Sequence, residues 1–585
     1  MPEAQEAPGE VKLTVGVDFG TTYSGYAISH KLKPEEVEAF FNWPSQPMPY
    51  AKTITALYYE RQADGTYKAT AWGFPARLKQ QKNRDPSSRD MCVERFKLLL
   101  DEPRVPCARI CRQPQGEQII LPQGRTVESV IGDYLRFLKE DAQKLIAKQY
   151  DGILTLDNVQ WCLSVPAMWT DRAKARMRQA AYLAGMIPDI DSTRLTFALE
   201  PEAAAVYCSH NRSQYHFGKD QSFMVVDAGG GTVDLTVHKV VSGGTMEEVT
   251  RGHGQSCGAT YVDKEFVKCV KRKLGAEYYE EWRVNFPAEM SLLMANWEDC
   301  KRRFSGVDSE TMFIAMPPKM YKKLPEEVEE RLSEEQDGFD DAIVLTGADG
   351  VRVFDPVVNK VLGLIEEQMR RLREEGSQGA RQLHAMLLVG GFSSSPYLCQ
   401  RVKDRFGGRV KCIINPPQPG AAVVIGAVHY GSNPSVIKAR VSRFTYGVKF
   451  GSTFRPGNEL HQKHEDKKVW DEKTQTFRLN NQFRAFVKVG ELVAVDHEVT
   501  HGYFPVYDDQ TEIEFQMFHC DFNPFFATER GVTPLGNSVC VEVPAEGQRG
   551  VDAVMHFGDT EIRMEVIPLD KSFPSRDTTV KFSCK

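Results

Sequence analysis

The sequence predicts a mixed α/β protein that carries an internal duplication and is followed by a separate β-rich domain. Three observations lead there. A strand ending in aspartate and a Gly/Thr turn occurs twice, as VKLTVGVDFGTT and as FMVVDAGGGT. Helical and extended periodicities alternate between and after these two units. Beyond about Arg440 they give way to short alternating runs.

Residues 1–10, MPEAQEAPGE, are acidic, contain proline and lack the basic and apolar stretches of a secretion leader, so a disordered tail is expected. Val11, Leu13, Val15 and Val17 then alternate as a strand that Asp18 closes; FGTT turns the chain and YSGYAI leads away. DRAKARMRQAAYLAG predicts a helix ending at Gly185, and TRLTFALE a strand closed by Glu200 before Pro201. In the second unit FMVV runs to Asp227, AGGGT turns, and Val233, Leu235 and Val237 alternate. AMLLVGG is a further strand and turn, with a helix from about Ser395. The C-terminal runs FVKV, IEFQMF, VCVEV, VDAVMHF, IRMEVI and TVKFS predict a β-sandwich. The polar insert HQKHEDKKVWDEKTQ has too little apolar content to pack and is expected to be a mobile loop.

At 585 residues the chain exceeds one ordinary core, so several subdomains are expected. Its 41% hydrophobic and 26% charged residues exclude a disordered or fibrous protein. With 79 acidic against 73 basic residues and no long basic run, nothing argues for nucleic acid. The 13 cysteines lack the C-x-x-C spacing of a zinc site, Cys107/Cys111 included, and read as reduced structural thiols. The most apolar stretch, about 421–428, is too short for a membrane span, and KFSCK is no lipidation or retrieval ending. A cytoplasmic protein is expected.

GGGT at 229–232 forms a tight turn whose backbone N–H groups can converge on phosphate oxygens, although most glycine-rich turns are only turns. A strand-end aspartate is usually a cap. Two of them, each beside a Gly/Thr turn, point instead to a cleft in which Asp18 and Asp227 hold hydrated Mg²⁺. No G-x-x-x-x-G-K-[ST] sequence occurs, which removes the P-loop alternative. In LLMANWEDCKRRFSG, Leu293, Trp297, Cys300 and Phe304 form an apolar helical stripe; Glu298, Lys301, Arg302 and Ser305 share the opposite face, ordinarily just a wet surface.

DFGTTYSGYA, DAGGGTVDLTV, ALEPEAAAVY and LLVGGFSSSPYL, in that order from Asp18 to Leu398, resemble the ATPase-domain motifs of the heat shock protein 70 family. SRFTYGVKF and LEPEAAAVY look most like its divergent 12A/12B branch. The resemblance implies an actin-like (ribonuclease-H-like), two-lobed ATPase domain over 11–432, with lobe I at about 11–215 and lobe II at about 216–432. A β-rich, sandwich-like domain at 440–585 would bind substrate or partner proteins. ATP or ADP with Mg²⁺ would sit at the base of the cleft, and water would slowly attack the γ-phosphate in line.

By the same resemblance, Gly20, Thr21, Thr22 and Tyr23 fall where the first loop touches the phosphates, and Gly229, Gly230, Gly231 and Thr232 fall in the second. Lys97, in ERFKLLL, aligns with the catalytic lysine, its alternative being a solvated helix lysine. Glu200 matches the cleft glutamate near magnesium and water, its alternative being an acidic helix start. Asp234 would orient the water or the magnesium shell. Glu298, Lys301, Arg302 and Ser305 coincide with the adenosine-binding helix. Gly390, Gly391, Phe392 and Ser393 match the loop that closes on adenosine, and Gly258 a ribose-side glycine.

The sequence departs from the family in four places. Ser394 stands where an adenine-stacking arginine is usual, leaving Phe392 to stack instead or adenine to bind more weakly. Gly420 and Ala421 stand where acidic residues are usual. NPSVIKAR replaces the leucine-rich acidic linker, and no helical lid is expected after TVKFS. The implied function is an ATP-binding, slowly hydrolysing chaperone or adaptor, stress-related, whose partners are client or receptor proteins and nucleotide-exchange factors. One alternative is a sugar-type kinase on the same fold, which needs a carboxylate base aimed at a substrate hydroxyl and whose ATPase would rise with a polyol. The other is a nucleotide-sensing adaptor that releases little phosphate.

Overall fold

Leu13–Phe19 is buried along its whole length, so this strand is covered on both faces. In the computed structural model, which describes residues 9–83, 88–100, 111–112, 118–210, 218–375, 382–495, 497–557, 562–572 and 576–579, the strand forms an antiparallel hairpin with Tyr23–His30 and pairs in parallel with Val159–Val165. Leu195–Leu199 continues that sheet in parallel. Ser222–Ala228 repeats the arrangement: an antiparallel hairpin with Val233–Val240, a parallel neighbour in Leu383–Val389, and Cys412–Ile414 parallel beyond it. The duplication read from two short motifs therefore extends to sheet topology.

Helix Ala422–Ser432, from the most apolar stretch of the chain, packs on the first sheet and on helix Glu200–His210. Glycines permit the approach: a Cβ at Gly16 would come within 2.7 Å of Val428, and one at Gly426 within 1.7 Å of the Ala203 carbonyl. Each buried valine of this helix is worth roughly 1.5–3 kcal/mol in area removed from water. Residues 422–432, placed with lobe II by the sequence, thus pack on the sheet and helix of the first half.

Contacts divide the chain into two units, one comprising Met1–Trp169, Arg176–Gly244 and Gly252–Val436, the other Thr170–Ala175, Thr245–Arg251 and Ile437–Lys585. Within the second, two antiparallel sheets share one core. Val448, Phe515 and Met517 from the strands Thr445–Thr453 and Glu512–Cys520 meet Val551, Met555 and Val566 from Val551–His556 and Arg563–Pro568. The polar insert is not the mobile loop expected. It forms a short helix, Glu459–Gln462, and an edge strand, Val469–Asp471, paired with Thr476–Val487. Polar packing holds it: His461 is buried and accepts the Arg455 N–H, and His464 stacks on Phe525 at 4.3 Å.

Cys107, residues 1–8 of the expected tail, and most of TVKFS lie outside the described residues. No helix among the described residues is long and apolar enough to cross a membrane.

Candidate functional site

The second Gly/Thr loop is held from behind. Helix Ala259–Leu274 begins with N–H groups that have no partner in their own helix. Three donors there reach the loop: Gly258 N–H to the Gly231 carbonyl (3.1 Å), Ala259 N–H to Gly229 (3.1 Å) and Thr260 N–H to Gly230 (2.9 Å). Because each peptide is planar and trans, its N–H points opposite to its C=O. The N–H groups of Gly230, Gly231 and Thr232 therefore face away from the helix. Thr55 does the equivalent for the first loop: its hydroxyl donates to the Gly20 carbonyl (2.9 Å) and its N–H to the Thr22 carbonyl (2.7 Å). This turns out the N–H groups of Thr21 and Tyr23.

The two loops face each other closely. A Cβ at Gly230 would lie 2.1 Å from the Thr22 hydroxyl, and one at Gly231 2.6 Å from that of Thr21. Both loops line one cavity of about 580 Å³, within the size range of small-molecule sites. Asp18, Lys97, Glu200, Asp227, Glu298, Lys301, Arg302, Gly390, Gly391 and Phe392 line it as well.

Lys97 sits in the turn Phe96–Leu99 and is buried, so it is no solvated helix lysine. Its ammonium lies 2.6 Å from Glu200 Oε1 and over the Trp169 ring at 5.2 Å. Glu200, first residue of its helix, is pushed up to about 7, chiefly by burial and against the pull of Lys97; Asp18 and Asp234 add to the rise. Asp227 is pushed well above the usual carboxylate range by burial, with the negative charges of Glu200, Asp18 and Asp234 adding to it. Both Asp18 oxygens are engaged: Ser164 donates to Oδ1 (3.1 Å), and the Lys52 ammonium lies 2.5 Å from Oδ2. Burial opposes the charge on Lys52, but Asp18, with Tyr50 and Asp227, more than offsets it and raises the lysine above its ordinary value. Asp18 and Asp227 are the hard oxygen donors that Mg²⁺ prefers, yet Asp18 already has a cation. The donor set fits the metal through Asp227 and is pre-empted at Asp18.

On the helix Pro287–Arg303 the predicted apolar stripe is buried, but the other side is not simply wet. Lys301 is buried, its ammonium 2.8 Å from Asp263 Oδ1 and 2.5 Å from Glu298. Asp263 also accepts the Trp297 indole N–H at 2.9 Å. Burial alone would raise Glu298, but Lys301 and Arg302 bring it down to about 2. Arg302 donates to the Tyr23 hydroxyl at 2.8 Å, joining the two halves of the duplication across the cavity.

Four predicted residues do not line the cavity. Ser305 lies beyond the helix end and is tied to Glu310. Gly258 lies behind the second loop, where its Cβ would meet the Gly229 carbonyl at 2.5 Å, so close backbone packing requires glycine there. Asp234 is buried and accepts the Met168 N–H at 3.3 Å. Ser393 is buried beside the cavity wall formed by Phe392, Ser394 and Ser395.

The family model described as Hsp70 protein matches residues 109–489, well over half of the chain. The chain belongs to the heat shock protein 70 family. Among its relatives, heat shock 70 kDa protein 12B of Homo sapiens is 27% identical over 634 residues, covering 95% of this chain and 89% of the relative. Heat shock 70 kDa protein 12A of Mus musculus is 28% identical over 636 residues, with 96% and 90% covered. The chaperone protein DnaK of Thermus thermophilus is 24% identical over 447 residues, with 74% and 64% covered. The likeness to the 12A/12B branch thus runs almost end to end.

For this heat shock protein 70 family member, two departures have a structural account. Gly420 makes room for Tyr50, whose hydroxyl a Cβ there would meet at 2.0 Å, and Ala421 is buried where the helix Ala422–Ser432 begins. Ser394 lines the cavity in place of the usual arginine. Sequence reasoning missed Lys52, Thr55 and Asp263, all on the cavity wall.

Proposed function

We propose that the chain binds ATP in this cavity and hydrolyses it slowly, acting as a chaperone or adaptor that engages other proteins through its C-terminal β domain. The observation that carries this reading is the convergence of outward N–H groups from two Gly/Thr loops on a cavity that also contains the Lys97–Glu200 pair. Members of the heat shock protein 70 family bind ATP or ADP with Mg²⁺, which would offset phosphate charge; Asp227 is the carboxylate that would hold it here.

The loop N–H groups bind the β- and γ-phosphates and hold the charge that develops on the departing β-phosphate oxygen. Glu298, Lys301 and Arg302 hold the adenosine side, with Asp263 fixing Lys301. Lys97 orients the attacking water and stabilises the γ-phosphate. As the water oxygen bonds to phosphorus, the bond from the γ-phosphorus to the bridging oxygen breaks. Glu200, with an affinity for protons near neutrality, takes the proton of the water. Asp234 acts from behind the site as a positioning residue.

Single-turnover phosphate release from pre-bound Mg-ATP tests this. Lys97→Ala should slow release by roughly 10²-fold while leaving binding largely intact, and Gly230→Asp should weaken binding by setting a carboxylate against phosphate. Release unaffected by Lys97→Ala would remove Lys97 from the reaction, and absence of ATP binding would end the reading.

A second reading is an adaptor in which ATP only holds the lobes closed. Lys97 being held by Glu200, rather than standing free toward the cavity, favours it. Tight nucleotide binding with negligible release, together with partner affinity that follows nucleotide, would select it.

A further inference from the structure

Lys52 has no place in the reading above, yet it is among the most constrained side chains of the cavity. It is 8% exposed, and its ammonium is 2.5 Å from Asp18 Oδ2. Since Ser164 occupies Oδ1, Asp18 is satisfied by groups of this chain. The lysine is delivered by rigid structure. Thr53–Ile54 pairs with Tyr23 and Ser24, and Thr55 binds the carbonyls of Gly20 and Thr22. A Cβ at Gly25 would meet the Ala51 carbonyl at 2.3 Å and Lys52 Cγ at 3.1 Å, so glycine there lets the lysine stem lie against the hairpin. Lys52 and the first phosphate-facing loop thus form one body.

We propose that Lys52 is the resident counter-ion of the phosphate site, so that this chain takes up a nucleoside di- or triphosphate as the free anion, with little need for a divalent metal. The inference rests on the cavity being a nucleotide site. At the one predicted magnesium carboxylate of the first half, a fixed ammonium supplies the positive charge that a metal would bring, and it costs no second binding event.

The test is equilibrium binding of a methylanthraniloyl-labelled ATP to the full chain, in excess Mg²⁺ and in EDTA. Wild-type affinity should differ by less than about threefold between the two, about half a decade in Kd. Lys52→Met should lose at least about tenfold in EDTA, the scale for removing one partner of a buried charge pair, and recover most of it in Mg²⁺. Lys52→Arg should keep the EDTA binding. Wild-type binding that appears only with Mg²⁺ overturns the inference while leaving the nucleotide site intact; so does EDTA binding that Lys52→Met does not weaken. No binding by wild type in either condition overturns the nucleotide reading and this inference together.

Discussion

The two hairpins at the centre of the duplication have the same backbone and opposite electrostatics. In the first, Gly25 stands opposite Asp18 in the register, and the space it leaves admits Lys52. In the second, Asp234 stands opposite Asp227, so two buried carboxylates face one another where the first half has a carboxylate and an ammonium. One glycine-to-aspartate difference at an equivalent position separates a half that sets a carboxylate against an ammonium from a half that sets two carboxylates against one another. Duplicated topology preserves where a charge sits and leaves its partner free to change.

The largest test of that contrast is the pair Asp18→Asn and Asp227→Asn. The first strands a buried ammonium and should cost about 3 kcal/mol or more, seen as a lowered thermal midpoint of the ligand-free chain. The second removes mutual repulsion and should leave the midpoint unchanged or raise it. Equal losses would show that the halves are not electrostatically different. Gly25→Ala should come next, at about 1–3 kcal/mol, because its Cβ meets backbone at 2.3 Å. Gly391→Ala, with nothing within 4 Å of its Cβ, is the control and should stay within about 0.5 kcal/mol.

A smaller effect is pH-dependent. Glu200 holds its proton up to about 7 in the fold, so between its unfolded value near 4.5 and that point the folded state binds more protons than the unfolded one. Stability from this source is full at low pH and is lost as pH rises through about 7. Glu200→Gln should flatten the fall in thermal midpoint between about pH 5 and about pH 8; an identical slope would refute the assignment. The smallest effect has the opposite sign. His429, stacked on His210 at 3.8 Å, is lowered to about 4 mainly by burial, and His210 adds to this. Its contribution is present above about 6.5 and lost as pH falls through about 4. His429→Gln should remove that acid-side loss, measured by thermal midpoints at about pH 4.5 and about pH 7.

What could be read from the sequence was local. The aspartate-and-glycine turns, the helix entered at Ser395 and the apolar stripe through Trp297 all declare themselves within a dozen residues, because turn chemistry and periodicity are short-range. Lys97 and Glu200 needed the family resemblance, since nothing in ERFKLLL distinguishes a buried lysine from a solvated one. Lys52 and Asp263 acquire their roles only through residues distant in the chain, and neither stands in a motif. Gly258 is assigned to the ribose side by resemblance alone, and nothing in SCGATYVD distinguishes a glycine set against backbone from one set against a ligand. The polar insert failed as a loop because hydrogen bonds and ring stacking, not apolar content, hold it.

The helix Ala422–Ser432 has a consequence for how the protein is made. It covers the first sheet, whose last strand, Leu195–Leu199, leaves the ribosome long before residues 422–432 do. During synthesis the nascent first half therefore presents an uncovered apolar sheet face for the time taken to translate the entire second half. At translation speeds of roughly 5–20 residues per second that interval is tens of seconds. This member of a chaperone family would itself be a candidate for escort while it is being built.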